Sequence, residues 1–135
     1  MIKALIDTNV VLDALAGREP FRAEAERIFI LAAEEKFQGF VTANSITDIY
    51  YLVRKNASEA TARRALRNLL QVFAVVEING KDCENALESA IDDFEDALIA
   101  VCASKMDADY IITRDEGFLQ AQSPIPVVAP AGFLQ

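Results

Sequence analysis

Short apolar runs alternate along this chain with longer stretches of helical period, and that alternation narrows the possible folds more than any other feature. Residues 2–6, 39–42, 74–78, 110–113 and 126–129 read as strands, the last an edge strand flanked by proline. Helices are expected over 9–16, from Pro20 to about 36, over 43–55, after Ser58, over 82–90 and over 93–106, with a helical turn at 116–120. The local signals agree with these limits. Gly17 closes the first helix, Pro20 sits in the first turn of the second, and Ser58 caps the fourth with Glu59 behind it. In the third helix Ile46, Ile49, Tyr50 and Val53 form one stripe, as Phe21, Ala25, Ile28, Phe29 and Ala32 do in the second. Strands separated by helices run parallel, and such a sheet is covered on both faces. The expectation is one doubly wound domain over residues 1–135, a three-layer α/β/α sandwich.

A chain of 135 residues buries about two thirds of its unfolded surface, enough for a real core. No apolar run reaches the roughly 18 residues needed to cross a bilayer, and the amino terminus leads into a strand without signal-peptide anatomy. These features point to a cytoplasmic protein with no membrane partner. Cys83 and Cys102 fit neither a zinc spacing nor a disulfide framework, and read as small apolar filler in a reducing compartment.

Histidine is absent. Any catalysis therefore relies on carboxylates, Lys, Tyr, Cys, Ser or Thr, or on a metal held by oxygen. The net charge of −8 opposes broad attraction to nucleic acid but permits a local basic patch, or a site where cations reverse the field.

Ligands of an open parallel sheet bind beyond the carboxyl ends of its strands, and acids collect where those ends are expected. Asp7 ends the run Ala4-Leu5-Ile6, with Thr8 and Asn9 beside it. A carboxylate there needs a cation or several donors. Asp48 lies early in the third helix, whose side chains lean toward its amino end and so toward the second strand; it faces away from the Ile46, Ile49 and Val53 stripe, which suits an exposed acid favoured by the helix dipole. Asp92, Asp93, Glu95 and Asp96 crowd one helix start. Asp93 suits the cap, and Asp96, just before the apolar run 97–101, is the better ligand candidate. Asp115 leaves the fourth strand in Thr113-Arg114-Asp115, as a ligand or as the cap of a short helix. Asp7, Asp48, Asp96 and Asp115 brought together would be forced to protonate in part. A hard divalent cation such as Mg²⁺, which takes oxygen ligands and retains waters and phosphates, relieves the repulsion.

Three segments, Ile6-Asp7-Thr8-Asn9, Asp93-Phe94-Glu95-Asp96-Ala97-Leu98-Ile99-Ala100 and Ile112-Thr113-Arg114-Asp115, resemble the motifs of PIN-domain ribonucleases, including VapC-type toxins. The likeness runs in order over nearly the whole chain. It implies a five-stranded parallel sheet of order 3-2-1-4-5 and an endoribonuclease dependent on Mg²⁺ or Mn²⁺. It also implies frequent homodimers and, for toxins, an antitoxin that occludes the site. Carried over, Asp7, Asp96 and Asp115 match the metal-binding acids and Thr8 their polar neighbour, with Asn9, Asp93 and Thr113 in support. Two departures stand out. Asp48 stands where many members carry Glu, one methylene longer, so that it reaches the metal only through water. Gly117 stands where many toxins carry a further Asp, which favours one well-held ion over two.

Arg54, Lys55, Arg63, Arg64 and Arg67 cluster with only Glu59 opposing, as an RNA-phosphate docking surface or as a solvated helix face. Arg114 reads as a further RNA contact or as an ion-pair partner of Asp7 or Asp96. The apolar run 49–53 implies burial on more than one side of its helix, by the core or by a dimer. Two other readings remain open: a catalytically weak binding module of the same fold, and an aspartyl phosphatase using Asp7. The phosphatase wants a second acid at position 9, where the chain has Asn.

Overall fold

A computed structural model describes residues 1–135. The chain runs β1 (Lys3–Ile6), α1 (Thr8–Leu15), α2 (Arg22–Ala33), β2 (Gln38–Thr42), α3 (Ala43–Asn56), α4 (Glu59–Val72) and β3 (Ala74–Val76). It continues through α5 (Gly80–Leu87), α6 (Phe94–Lys105), β4 (Tyr110–Ile112), α7 (Glu116–Leu119), β5 (Val127–Val128) and α8 (Pro130–Phe133). The strands form one five-stranded sheet of order β3-β2-β1-β4-β5, parallel throughout. This is the order the resemblance implies.

Period-two alternation divides the core. Ala4 and Ile6 pack into the layer built by α1 to α4, where Val10, Val11, Ile28, Ile49 and Leu69 are buried. Leu5 faces the opposite layer, where Ala97, Ile99, Cys102 and Phe118 are buried. The alanines of α6 let that helix lie close to the sheet. No helix is long and apolar enough to cross a membrane.

The element ends differ from the sequence expectation where side chains intervene. Pro20 stands in the turn before α2 rather than within it, and α2 stops at Ala33 because the chain turns through Glu35 at φ 59°. The third strand ends at Val76, two residues early, since Asn79 opens a capping box with Asp82. The Asn79 side chain accepts from the Asp82 amide at 2.9 Å, and the Asp82 carboxylate accepts from the Asn79 amide at 3.0 Å. Asn79-Gly80 is thus the start of α5, not a separate turn. Helix α8 was not expected. Its Phe133 ring meets Phe37 and Tyr110 edge-on at 4.9 and 5.9 Å, and Pro130 at its first position is the signal for it.

Beneath β2 the packing leaves no room for a side chain at Gly39. A Cβ there would fall 2.3 Å from Cδ1 of the buried Phe73, whose ring is held edge-on by Phe29. Gly39→Ala is expected to cost about 1–3 kcal/mol by overpacking. Urea unfolding should show a lower midpoint at unchanged slope; an unaltered midpoint would mean that Phe73 moves aside freely.

Candidate active site

Strand β1 is the central strand, so its carboxyl end is the most enclosed edge position in the sheet. Asp7 occupies it and also caps α1 with extended backbone. Only 8% of the residue is exposed. Its Oδ1 accepts from the Thr8 backbone amide at 2.7 Å, and its Oδ2 from the Thr113 hydroxyl at 2.8 Å and the Asn9 side-chain nitrogen at 3.2 Å. Burial pushes the Asp7 carboxyl above the usual carboxylate range; the Thr113 and Thr8 bonds oppose that, while Asp115 and Asp93 push it further up. Among the groups of the chain itself, only these hydrogen-bond donors offset its charge.

Thr113, fully buried just past β4, is the hub of this arrangement. Besides donating to Asp7, its Oγ1 accepts from the Asn9 side chain and from the Asp115 amide, both at 3.1 Å. Asp115 caps α7, with Oδ2 accepting from the Phe118 amide at 3.0 Å. Asp93 caps α6 by accepting from the Asp96 amide at 3.0 Å.

Asp96, in the first turn of α6, is where the acids meet. Its carboxyl is pushed up to about 7, by burial first and then by Asp93, Asp7, Asp115 and Glu95. Glu95 is raised by burial, then by Asp48, Asp93 and Asp7, which places the exposed Asp48 of α3 on the Glu95 side of the cluster. No ion pair of the structure involves Asp7, Asp48, Asp93, Glu95, Asp96 or Asp115. Beside them opens a cleft lined by Asp92, Asp93, Asp96, Asp115 and Gln120.

The donor chemistry fits a hard divalent cation: several carboxylates, oxygen throughout, with Asp7 and Asp96 raised by burial and then by neighbouring acids, and none of the group in an ion pair. No three of the acids stand together as a ready-made ligand cage.

Two features of the site leave little trace in the sequence. Ser45 is buried at the start of α3, where its hydroxyl receives the Thr8 hydroxyl at 2.8 Å and lies 2.9 Å from that of Thr42. Thr42 in turn donates to Asn44 at 2.6 Å. This chain of hydroxyls links β2 to the Asp7 turn. Its only sequence trace is that Ser45 sits four residues before Ile49, on the buried side of the helix. The second feature is Asp13, 1% exposed on α1. Arg114 pairs with Asp13, not with Asp7 or Asp96 as the sequence suggested: Nε donates to Oδ2 at 2.6 Å and Nη2 to Oδ1 at 3.0 Å. The signal is an acid between the apolar residues Val10-Val11-Leu12 and Ala14-Leu15, four residues after Asn9.

The remaining candidates lie on the adjoining helices. Arg54 and Lys55 are exposed in the last turn of α3, as are Arg63, Arg64 and Arg67 on α4. Arg63 pairs with Glu59 at 3.2 Å and stands 5.7 Å over the Tyr50 ring. Tyr51, Arg54 and Lys55 line a hollow on the surface. Ile49 and Val53 are buried, but Tyr51 is 57% and Leu52 37% exposed, so the core covers α3 on one side only.

A family model described as PIN domain matches residues 3–117. Comparison with curated proteins finds no match. Among solved structures, a toxin-antitoxin complex from Klebsiella pneumoniae contains a chain 25% identical at TM-score 0.67, over 94% of this chain and 97% of that one. VapC20 of Mycobacterium tuberculosis, described as a sarcin-ricin-loop-cleaving toxin, is 17% identical at TM-score 0.69, over 85% of this chain and 92% of that one. VapBC2 of Rickettsia felis, solved on a DNA fragment from its promoter, is 16% identical at TM-score 0.67, over 95% of this chain and 98% of that one.

Proposed function

The chain belongs to the PIN-domain family, and from that premise we propose that it is a metal-dependent endoribonuclease hydrolysing RNA phosphodiester bonds at Asp7, Asp48, Asp96 and Asp115. The observation that carries the reading is Asp96, which is in no ion pair and whose carboxyl is pushed up to about 7 by burial and then by four acids, Asp93, Asp7, Asp115 and Glu95. In this reading Asp7, Asp96 and Asp115 hold Mg²⁺ or Mn²⁺. Gly117 offers no side-chain ligand toward a second ion, so one ion is the preferred count. When bound, a divalent ion neutralises charge on the phosphoryl group and acidifies a water.

The chain's own residues do the positioning. Thr113, Asn9 and the Thr8 amide orient the Asp7 carboxylate, and Asp93 fixes the first turn of α6 beneath Asp96. Asp48, one methylene shorter than the usual Glu, orients the attacking water or reaches the ion through one. The aspartyl phosphatase loses ground, because Asn9 spends its side-chain amide on Asp7 and Thr113 where that chemistry needs a second acid. The open arrangement of the acids favours one alternative, a binding module of the same fold with weak or no turnover.

RNA would reach the acids along α3 and α4. Residues 49–76 carry five bases and a single acid in a chain of net charge −8. Arg54, Lys55, Arg63, Arg64 and Arg67 would contact phosphates without reading sequence, and Arg114 would join them only by leaving Asp13. Arg54→Gln with Lys55→Gln should weaken single-stranded RNA binding and flatten its log–log salt dependence by about 1.4. The rate at saturating RNA should stay unchanged; an unchanged salt slope would take the RNA path away from this face. The relatives solved as toxin-antitoxin complexes support a cognate antitoxin as partner, and the exposed Tyr51 and Leu52 supply apolar surface for a homodimer. The cytoplasm is the proposed compartment.

The deciding experiment is incubation of the purified chain with end-labelled single-stranded RNA in Mg²⁺, in Mn²⁺ and in chelator. Internal cleavage that the chelator stops is expected. RNA that is bound but never cut under either metal would favour the binding module.

A further inference from the structure

We propose that Asp13, acting through Arg114, is a positioning residue of the acidic site: the pair locks the Thr113–Asp115 turn onto α1. Asn9 and Asp13 are four residues apart on α1 and share a face. Both grip the same residue of the facing turn. The Asn9 side-chain oxygen accepts from the Arg114 backbone amide at 3.3 Å, and the Asp13 carboxylate takes the guanidinium in two bonds of 2.6 and 3.0 Å. Phe21 closes the remaining side, its ring centroid 4.0 Å from the Arg114 Cζ.

A carboxylate that is 1% exposed is costly to bury, and an ion pair in such a place adds little net stability over apolar residues of the same size. What it supplies is geometry. A planar guanidinium held at two points fixes orientation as well as distance. The residues on either side of Arg114 are both site residues: the Thr113 hydroxyl donates to Asp7, and the Asp115 amide is held by that same hydroxyl. Letting Arg114 go would free both, while α1 kept Asp7 and Asn9 where they are. Asp13 itself makes no hydrogen bond to the acid cluster, so its influence on the site passes through Arg114.

The lock is a statement about geometry; its consequence for turnover rests on the nuclease reading above. Asp13→Asn keeps the shape and removes the charge, and Arg114→Lys keeps the charge and removes the fork. Each is studied in the full chain, well below its melting temperature, with folding checked by circular dichroism. Without any metal, the Thr113 and Asp115 amide resonances should move in both variants. Calorimetric affinity for Mn²⁺ should fall at least tenfold, and kcat on RNA should fall while KM holds. Asp13 also faces Arg18 at 3.9 Å, so Asp13→Asn removes that pair too; the double variant should be no worse than Asp13→Asn alone, since the Arg114 contact is already broken there.

Unmoved amides, with Mn²⁺ affinity within twofold of wild type and only a lower melting temperature, would overturn the proposal and leave the pair a plain stabiliser. Should Asp13→Asn not fold, Arg114→Lys alone decides by the same readouts. If the wild-type chain neither binds Mn²⁺ nor cuts RNA, the nuclease reading fails, and the amide shifts still decide the lock.

Discussion

Asp96→Asn should lower RNA cleavage about a thousandfold, near 4 kcal/mol of transition-state stabilisation, in a chain that folds at least as well as wild type. The substitution keeps volume and one acceptor oxygen, and removes only the charge. Asp96 makes no side-chain ion pair whose loss would unsettle the fold. It also feels four like charges, so neutralising it relieves the metal-free protein. Asp7→Asn should be as inactive but less clean. Its Oδ2 accepts from Thr113 and Asn9 together, and an amide nitrogen there would face two donors. Asp48→Asn should cost less, roughly a hundredfold, the low end of what a residue positioned on the attacking water contributes. Initial rates on one labelled RNA, at matched Mn²⁺ and with folding checked by circular dichroism, measure all three. Wild-type rates from both Asp7→Asn and Asp96→Asn would remove the metal-nuclease reading.

The acids could be found in the sequence because parallel topology makes the carboxyl ends of strands a meeting place, and strands are recognisable as apolar runs. Asp7 and Asp115 each follow such a run, and Asp96 opens a helix that leads into one. Sheet order is different. Alternating elements show that the strands are parallel, but the order β3-β2-β1-β4-β5 came from family resemblance, since no local period states which strand is central. The polar pairs were illegible for a related reason. Asp13 and Arg114 are 101 residues apart, and nothing near either names the other. Arg114, read locally, faces a choice of acids, and the nearest in sequence, Asp115, was not its partner. Ser45 was hidden by its smallness: a serine on a buried stripe does not break the apolar pattern around it. The late end given to β3 came from reading Ile78 as strand and Asn79-Gly80 as a turn, when the Asp82 side chain makes Asn79 a helix cap.

Raising the pH from 5 to 8 should destabilise the metal-free protein, and a divalent ion should cancel that loss. The direction follows from Asp96. An aspartate is near 3.9 in an unfolded chain, whereas in the fold Asp96 is raised to about 7 by burial and by Asp93, Asp7, Asp115 and Glu95. The folded state therefore holds that proton more tightly. Its advantage is complete below about 4 and is lost as pH climbs through about 7. Asp7 and Glu95 are raised as well and act in the same direction. Asp82 is lowered by its hydrogen bond to Lys105 and by the Asn79 amide, so it acts only in acid, below this window. Asp96 is only partly buried, and screening by solvent reduces its share to about 2 kcal/mol, on the order of 6 °C in melting temperature. In Asp96→Asn the decline should shrink by that amount. An ion at a hundred times its dissociation constant adds about 2.7 kcal/mol, roughly ten degrees for this size. Because protons compete for the same oxygens, the gain should be larger at pH 8 than at pH 5. Thermal melts at pH 5, 6.5 and 8, with and without Mn²⁺, read both effects in wild type and Asp96→Asn. A melting temperature that ignores pH in this range and ignores millimolar Mn²⁺ at pH 8 would mean that these carboxylates neither repel one another nor share an ion. Asp96 would then be an ordinary acid in the first turn of a helix.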